Sequence, residues 1–314
     1  MRIAEAGPGM TSRTTSAGGS GPLGQSVGPR RHHRGAKGGL RVISRMIRPA
    51  ILAVMGLLWL VPVYLLLANA GKSDADYSGD TLWLPGNLGD LWANVGKVLT
   101  TTDVPSGLGA SLIYSVAAPL IAVVLGAAIG FAVVVLKLKH GFAWFFVIFC
   151  GTVFPLQMMV IPWFDAYART GLYDTIGGMI AIYAAVTLPF SAFVMRNFFT
   201  GIAETVFEAA VVDGAGVWRI FTRIFLPMST SALAVVFILQ ATWVWNDLLV
   251  SLILTQNPST RPVMPLLNAL QSVEGGGPGY TVILTAALLV SIPTAVLFLV
   301  SQKFFQRGLS LGQY

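Results

Sequence analysis

Glu208-Ala-Ala-Val-Val-Asp213-Gly214-Ala215, followed by Ile224-Phe225-Leu226-Pro227, is the longest polar interruption in the apolar C-terminal two thirds of the chain. Just upstream, residues 204–212 read as an amphipathic helix with Glu204 and Glu208 one turn apart. Gly214 suits the left-handed conformation that ends a helix. A second short helix is expected next, with Trp218, Phe221 and Phe225 near one another on its surface and Pro227 as its stop. Ala209, Ala210 and Ala215 keep the turn thin, so that a cleft in another protein can admit it. A plain surface hairpin joining two spans would show much of the same spacing.

The flanks of this hairpin are lipid-soluble. Of 314 residues, 55% are hydrophobic and 11% charged, where a soluble domain carries about a quarter charged residues. Mean hydropathy is +0.73. A bilayer-spanning helix needs about 20 mostly apolar residues, and six segments qualify: 50–70, 112–136, 142–163, 175–194, 233–254 and 280–300. Basic residues gather before the first segment and after the second, fourth and sixth; only Lys72, Lys97, Arg169 and Arg261 fall on the other side. Both termini are therefore expected in the cytoplasm of a multi-pass protein of the cell membrane. The expected fold class is all-α and polytopic, with six transmembrane helices.

Residues 1–45 are rich in Gly, Ser, Thr and Arg, without apolar periodicity. They read as a disordered basic cytoplasmic tail near anionic lipid headgroups, with no nucleic-acid partner expected. Residues 46–71 read as the first transmembrane helix. Ala68-Asn69-Ala70 has the look of a signal-peptidase site, but the apolar stretch is long and carries Trp59 and Pro62, so retention is expected. Residues 72–104 read as an ordered extracytoplasmic loop, with Trp83 and Trp92 at the interface and its aspartates on a solvated face.

Enzyme chemistry has little support. Gly71-Lys72-Ser73 mimics the end of a phosphate-binding loop, but Leu66 stands where that loop needs a glycine. His32, His33 and His140 lack neighbours at metal-ligand spacing, and the single Cys150 reads as a small buried hydrophobe. No cofactor or metal is expected on this chain. Gly126-Ala-Ala-Ile-Gly130 is a small-xxx-small pattern of the kind that packs helices closely. Pro155, Pro162, Pro189 and Pro293 are expected to bend spans.

The combination Glu208-Ala209-Ala210, Asp213-Gly214-Ala215 and Ile224-x-Leu226-Pro227 resembles the EAA loop of ABC-importer permeases. Gly171-Leu-Tyr-Asp174-Thr, Leu188-Pro189-Phe190, Trp245-Asn246-Asp247 and Gln306-Arg307-Gly308-Leu309 are similar to the maltose-type branch of carbohydrate importers. The likeness runs over residues 105–314, with 200–229 as the coupling loop. It implies the type I importer-permease fold and alternating access driven by a separate ATPase. It also implies a heterodimer with a second permease, two copies of a cytoplasmic ABC ATPase that uses ATP and Mg, and an extracytoplasmic sugar-binding (lipo)protein. By the same resemblance, Glu208 contacts the ATPase, Gly214 makes the turn, and Ile224, Leu226 and Pro227 tie the loop to its spans. Ile202-Ala203 and Phe207 depart from the family pattern and bear on where the loop helix starts.

Asn246 and Asp247 form the other polar cluster, and an ionisable group at membrane depth is a functional candidate. Two readings stand: a place along the sugar path, or a hydrogen-bonded structural role at a subunit interface or the outer boundary. The same machine carrying glycerol phosphate or a polyol is a neighbouring alternative. An ion-coupled secondary transporter is the rival class, and it calls for inverted repeats and paired ionisable groups.

Overall fold

Helix α1 spans Ala36–Ala70 and starts inside the segment expected to be an unfolded tail. The apolar span already supplies the helical nucleus, so extending it N-terminally through Leu40, Val42 and Ile43 avoids the nucleation cost. The computed structural model describes residues 36–202, 204–271 and 279–310, with side chains within 47–302; the tail before Ala36 lies outside the described residues. The chain divides at Leu58 into two units, and everything from Trp59 onward belongs to the second.

Among the described residues every regular element is helical. After α1 come α2 (Leu88–Thr101), α3 (Val104–Val134), α4 (Gly141–Cys150), α5 (Leu156–Thr170) and α6 (Ile176–Thr200). The hairpin follows as α7 (Glu204–Val212), α8 (Val217–Ile220), a π-helical turn over Phe221–Phe225, and α9 (Leu226–Met228). The last elements are α10 (Thr230–Trp245), α11 (Leu249–Leu254), α12 (Val263–Gln271) and α13 (Tyr280–Ser310).

Among the described residues four helices are continuous, long and apolar enough to cross a bilayer: Ile47–Ala70, Val104–Val134, Ile176–Thr200 and Tyr280–Gln302. The other two expected spans are segmented. The stretch 142–163 breaks between α4 and α5, because Pro155 has no N–H to donate and pushes Phe154 out of helical geometry. The stretch 233–254 breaks after Trp245, where the Asp247 side chain takes over the amides of a new helix. Pro119, Pro162, Pro189 and Pro293 instead lie inside helices that continue past them.

Helices α3 and α6 form the central pair. A Cβ on Gly126 would sit 2.8 Å from the Ala192 nitrogen, and one on Gly130 2.8 Å from the Arg196 nitrogen. The small-xxx-small pattern therefore lets two backbones touch, gaining dispersion and leaving no room for a side chain. One cluster at this pair holds Tyr114, Met179, Tyr183, Val244, Val250 and Leu254. Another holds Phe131, Met195 and Phe199 with the hairpin. A third joins α2, α10, α12 and α13 through Val98, Trp245, Val263 and Val290, and the Trp245 indole donates to the Val290 carbonyl at 3.2 Å.

The segment after α1 is held by hydrogen bonds of its own. Lys72 is buried, its ammonium donating to Asn69 Oδ1 and to the Thr81 carbonyl. The Asn94 amide donates to the Ala70 and Lys72 carbonyls. Asp74 departs from the solvated face expected of it: it accepts from the Thr281 hydroxyl at the start of α13, beside Tyr77 stacked on Tyr280.

Gly126→Ala is expected to destabilise the chain by about 1–3 kcal/mol through overpacking. A lowered thermal unfolding midpoint in detergent checks this. Gly177→Ala, with open space around its Cβ, is the control and should not lower it.

Candidate functional site

Helix α7 occupies the bounds its amphipathic pattern indicated, Glu204–Val212. Its end is closed by two hydrogen bonds: the Gly214 N–H donates to the Val211 carbonyl and the Ala215 N–H to the Ala210 carbonyl, both at 3.0 Å. With Gly214 at φ +75°, this is the Schellman arrangement. Ala210 and Ala215 supply its apolar contact beneath the turn.

The hairpin is seated on an aromatic cluster. Phe131 of α3 lies 5.1 Å from the Phe221 ring, 5.0 Å from Phe225 and 6.4 Å from Phe199. Sequence spacing put Trp218, Phe221 and Phe225 near one another on the surface; the Trp218 and Phe221 rings are 5.9 Å apart, but Phe221 and Phe225 turn into the core while Trp218 stays exposed. Ile224 and Leu226 pack against the same cluster, whereas Pro227 is exposed at the start of α9. Lys137, in the turn after α3, forms an ion pair with Glu204, and this hydrogen bond and charge raise its pKa. No sequence signal pointed to that brace, because the partners lie far apart in the chain.

What remains outside is a thin tip. Glu208, Ala209, Asp213 and Gly214 are exposed, and beside them Val212 is 85% and Trp218 75% exposed. Apolar side chains exposed between polar ones, with Val211 and Val217 each 50% exposed as well, on a backbone braced from behind, make a surface shaped for protein contact.

The structure does not bring Asn246 and Asp247 to this hairpin. Asp247 is 9% exposed; its carboxylate accepts from the Tyr183 hydroxyl at 2.9 Å and from the Ser251 N–H at 3.0 Å. It thereby caps α11 and ties it to α6. Asn246 is exposed and donates to the Thr242 carbonyl at 2.8 Å. Beyond α11, Asp174 at φ +57° accepts from the Gln256 and Asn257 N–H groups, the Asn257 amide and the Thr260 hydroxyl. Partial burial pushes its carboxyl up, but these donors outweigh that and hold it below the ordinary 3.8.

Phe131→Ala is expected to remove about 3 kcal/mol or more of packing and to free the hairpin. Faster amide exchange in α7 and α8, with α11 unchanged, is the measurement. The Asp174 carboxyl is more acidic folded than unfolded, so its tie is complete above about pH 4 and is lost as pH falls through the folded value. Protection of the Gln256 and Asn257 amides should follow that course, and Asp174→Asn should abolish the dependence.

Residues 122–310 match the model of the family described as binding-protein-dependent transport system inner membrane component. A diacetylchitobiose uptake system permease of Streptomyces coelicolor is 27% identical over 85% of this chain and 88% of its own length. An osmoprotective-compound uptake permease of Synechocystis is 32% identical over 73% of this chain and 77% of its own. A crystal structure of a bacterial ABC transporter that imports the acidic polysaccharide alginate superposes with a TM-score of 0.73 at 22% identity, covering 84% of this chain and 96% of its counterpart. With the type I importer fold and a braced, thin-tipped hairpin between its spans, the chain belongs to the inner-membrane permease components of binding-protein-dependent ABC transport systems.

Proposed function

We propose that this chain is one half of a heterodimeric permease that moves a sugar or oligosaccharide inward by alternating access. The observation that carries the reading is the tip of the hairpin. Val212 and Trp218 are free, Glu208 and Asp213 flank them, and the Ala210–Phe131–Phe225 packing holds the whole from behind. Such a tip fits the cleft of a soluble partner and can transmit force into the spans.

In this reading residues 200–229 are the coupling loop, docked on one of two ATPase subunits that carry the ATP and Mg. This chain binds neither. Both termini are cytoplasmic, 46–71 is a retained first span, 72–104 faces outward toward a sugar-binding (lipo)protein, and 105–314 form the core. Glu208 contacts the ATPase; Gly214 sets the turn; Ile224 and Leu226 transmit its movement, supported by their packing under the loop. Asp247 acts as a structural cap, a role supported by its three donors.

The test is purification of the tagged chain from its own membranes. An ATPase, a second permease and a binding protein are expected with it; a homo-oligomer without an ATPase would overturn the reading. Gly214→Trp is expected to leave that assembly's permease pair intact and abolish ATP-driven uptake, because a bulky L-residue strains a left-handed position by about 1–2 kcal/mol and thickens the tip. Unchanged uptake would remove the loop from the mechanism.

A further inference from the structure

Away from the hairpin, a cavity of about 380 Å³ opens beside the break between α4 and α5. That volume lies in the ~300–1,000 Å³ range of small-molecule sites. Thr152 and Phe154 come from the break, Thr187 and Phe190 from the middle of α6, and Gln240 and Trp243 from α10. A second void of about 210 Å³ shares Gly151, Phe154, Leu156 and Val186 with it.

Gln240 is the unexplained residue. It is 8% exposed, lines the cavity, and its amide has no hydrogen-bond partner among the described residues. At membrane depth an unpaired amide costs free energy that a leucine would not. The two threonines limit what can meet it. Thr187 donates its hydroxyl hydrogen to the Tyr183 carbonyl at 2.7 Å, and Thr152 donates to the Phe149 carbonyl at 2.7 Å. Their oxygens are left only as acceptors toward the cavity, while Gln240 offers both donors and an acceptor. The remaining wall is apolar, with Phe154, Phe190 and Trp243 beside Leu156, Val186 and Leu239, and Trp243 is set edge-on to Tyr183 at 6.4 Å.

We propose that this cavity is a binding subsite for a neutral, hydroxylated solute, with Gln240 and Trp243 as its specificity-determining residues. The proposal rests on the importer reading and deepens it, because it gives this subunit its own contact with the transported sugar. Sugar hydroxyls both donate and accept, so they satisfy the threonine oxygens and the free amide together, and a sugar's C–H face packs on indole. An anion such as a phosphate ester has acceptors but no cation to meet: among the described residues no Lys or Arg lines the cavity. The subsite thus selects against the glycerol phosphate alternative.

The experiment uses proteoliposomes holding the intact transporter with its binding protein, and compares uptake of radiolabelled diacetylchitobiose and sn-glycerol 3-phosphate. Gln240→Leu is expected to raise KM for the neutral sugar about tenfold, the worth of one or two hydrogen bonds. It should also raise the thermal midpoint, since it removes an unpaired amide; a merely structural glutamine would do the reverse. Trp243→Leu should weaken the same uptake. ATP-dependent sugar uptake with unchanged KM in Gln240→Leu would overturn the subsite while leaving the importer standing. Preference for sn-glycerol 3-phosphate would overturn the neutral class. Uptake independent of ATP would overturn the importer reading, and the proposal with it.

Discussion

The backbone contact between α3 and α6 at Gly126 and Gly130 is the constraint on which the rest depends. In lipid no hydrophobic force drives helices together, so a pair must gain its stability from contact too close for side chains to intervene. Fixing this pair fixes both of its ends. At one end Phe131 and Phe199 project side by side and receive the hairpin. At the other, Tyr114 and Tyr183 stand 6.1 Å apart; Tyr183 holds the Asp247 carboxylate, and Tyr114 donates to the Thr260 carbonyl. A single seam therefore positions two irregular regions that share no residues.

Those irregular regions follow a second rule of the bilayer. Backbone that leaves the helix at membrane depth must find its hydrogen bonds within the protein. After Trp245 the free amides of Val250 and Ser251 meet the Asp247 carboxylate, and the Ser251 hydroxyl returns to the Asp247 carbonyl. In the α4–α5 break, the Thr152 N–H and hydroxyl both return to the Phe149 carbonyl, and Pro155 has no donor to satisfy. Each break is closed by short-range bonds, leaving the neighbouring side chains free to face a cavity.

Signals that act within a few residues were legible in the sequence. The bounds of α7, the left-handed Gly214 and the six apolar segments all follow from local pattern, as does the close helix contact at Gly126 and Gly130. What was not legible depends on partners remote in the chain. The pattern 233–254 reads as one apolar run, because nothing in it announces that Tyr183 will receive Asp247. Phe221 and Phe225 face inward against Phe131 of α3, a partner far upstream in the chain. Lys137 and Glu204 lie 67 positions apart, so their ion pair could not be seen from either side.

The segment Val217–Met228 leaves the axis of α10 at 74°, with Ser229 buried at the corner and bonded back to the Phe225 carbonyl. Two stiff arms meeting near a right angle form a bell crank. Under the proposed coupling, a thrust delivered along the short arm would reach the long arm mainly as torque about the corner, so that α10 would rock and turn more than slide. That displacement would grow with distance from the pivot: at 1.5 Å of rise per residue, Gln240 and Trp243 would swing farther than anything near Ser229. Under the proposed coupling, the part of this lever that carries the cavity wall would travel farther than its corner.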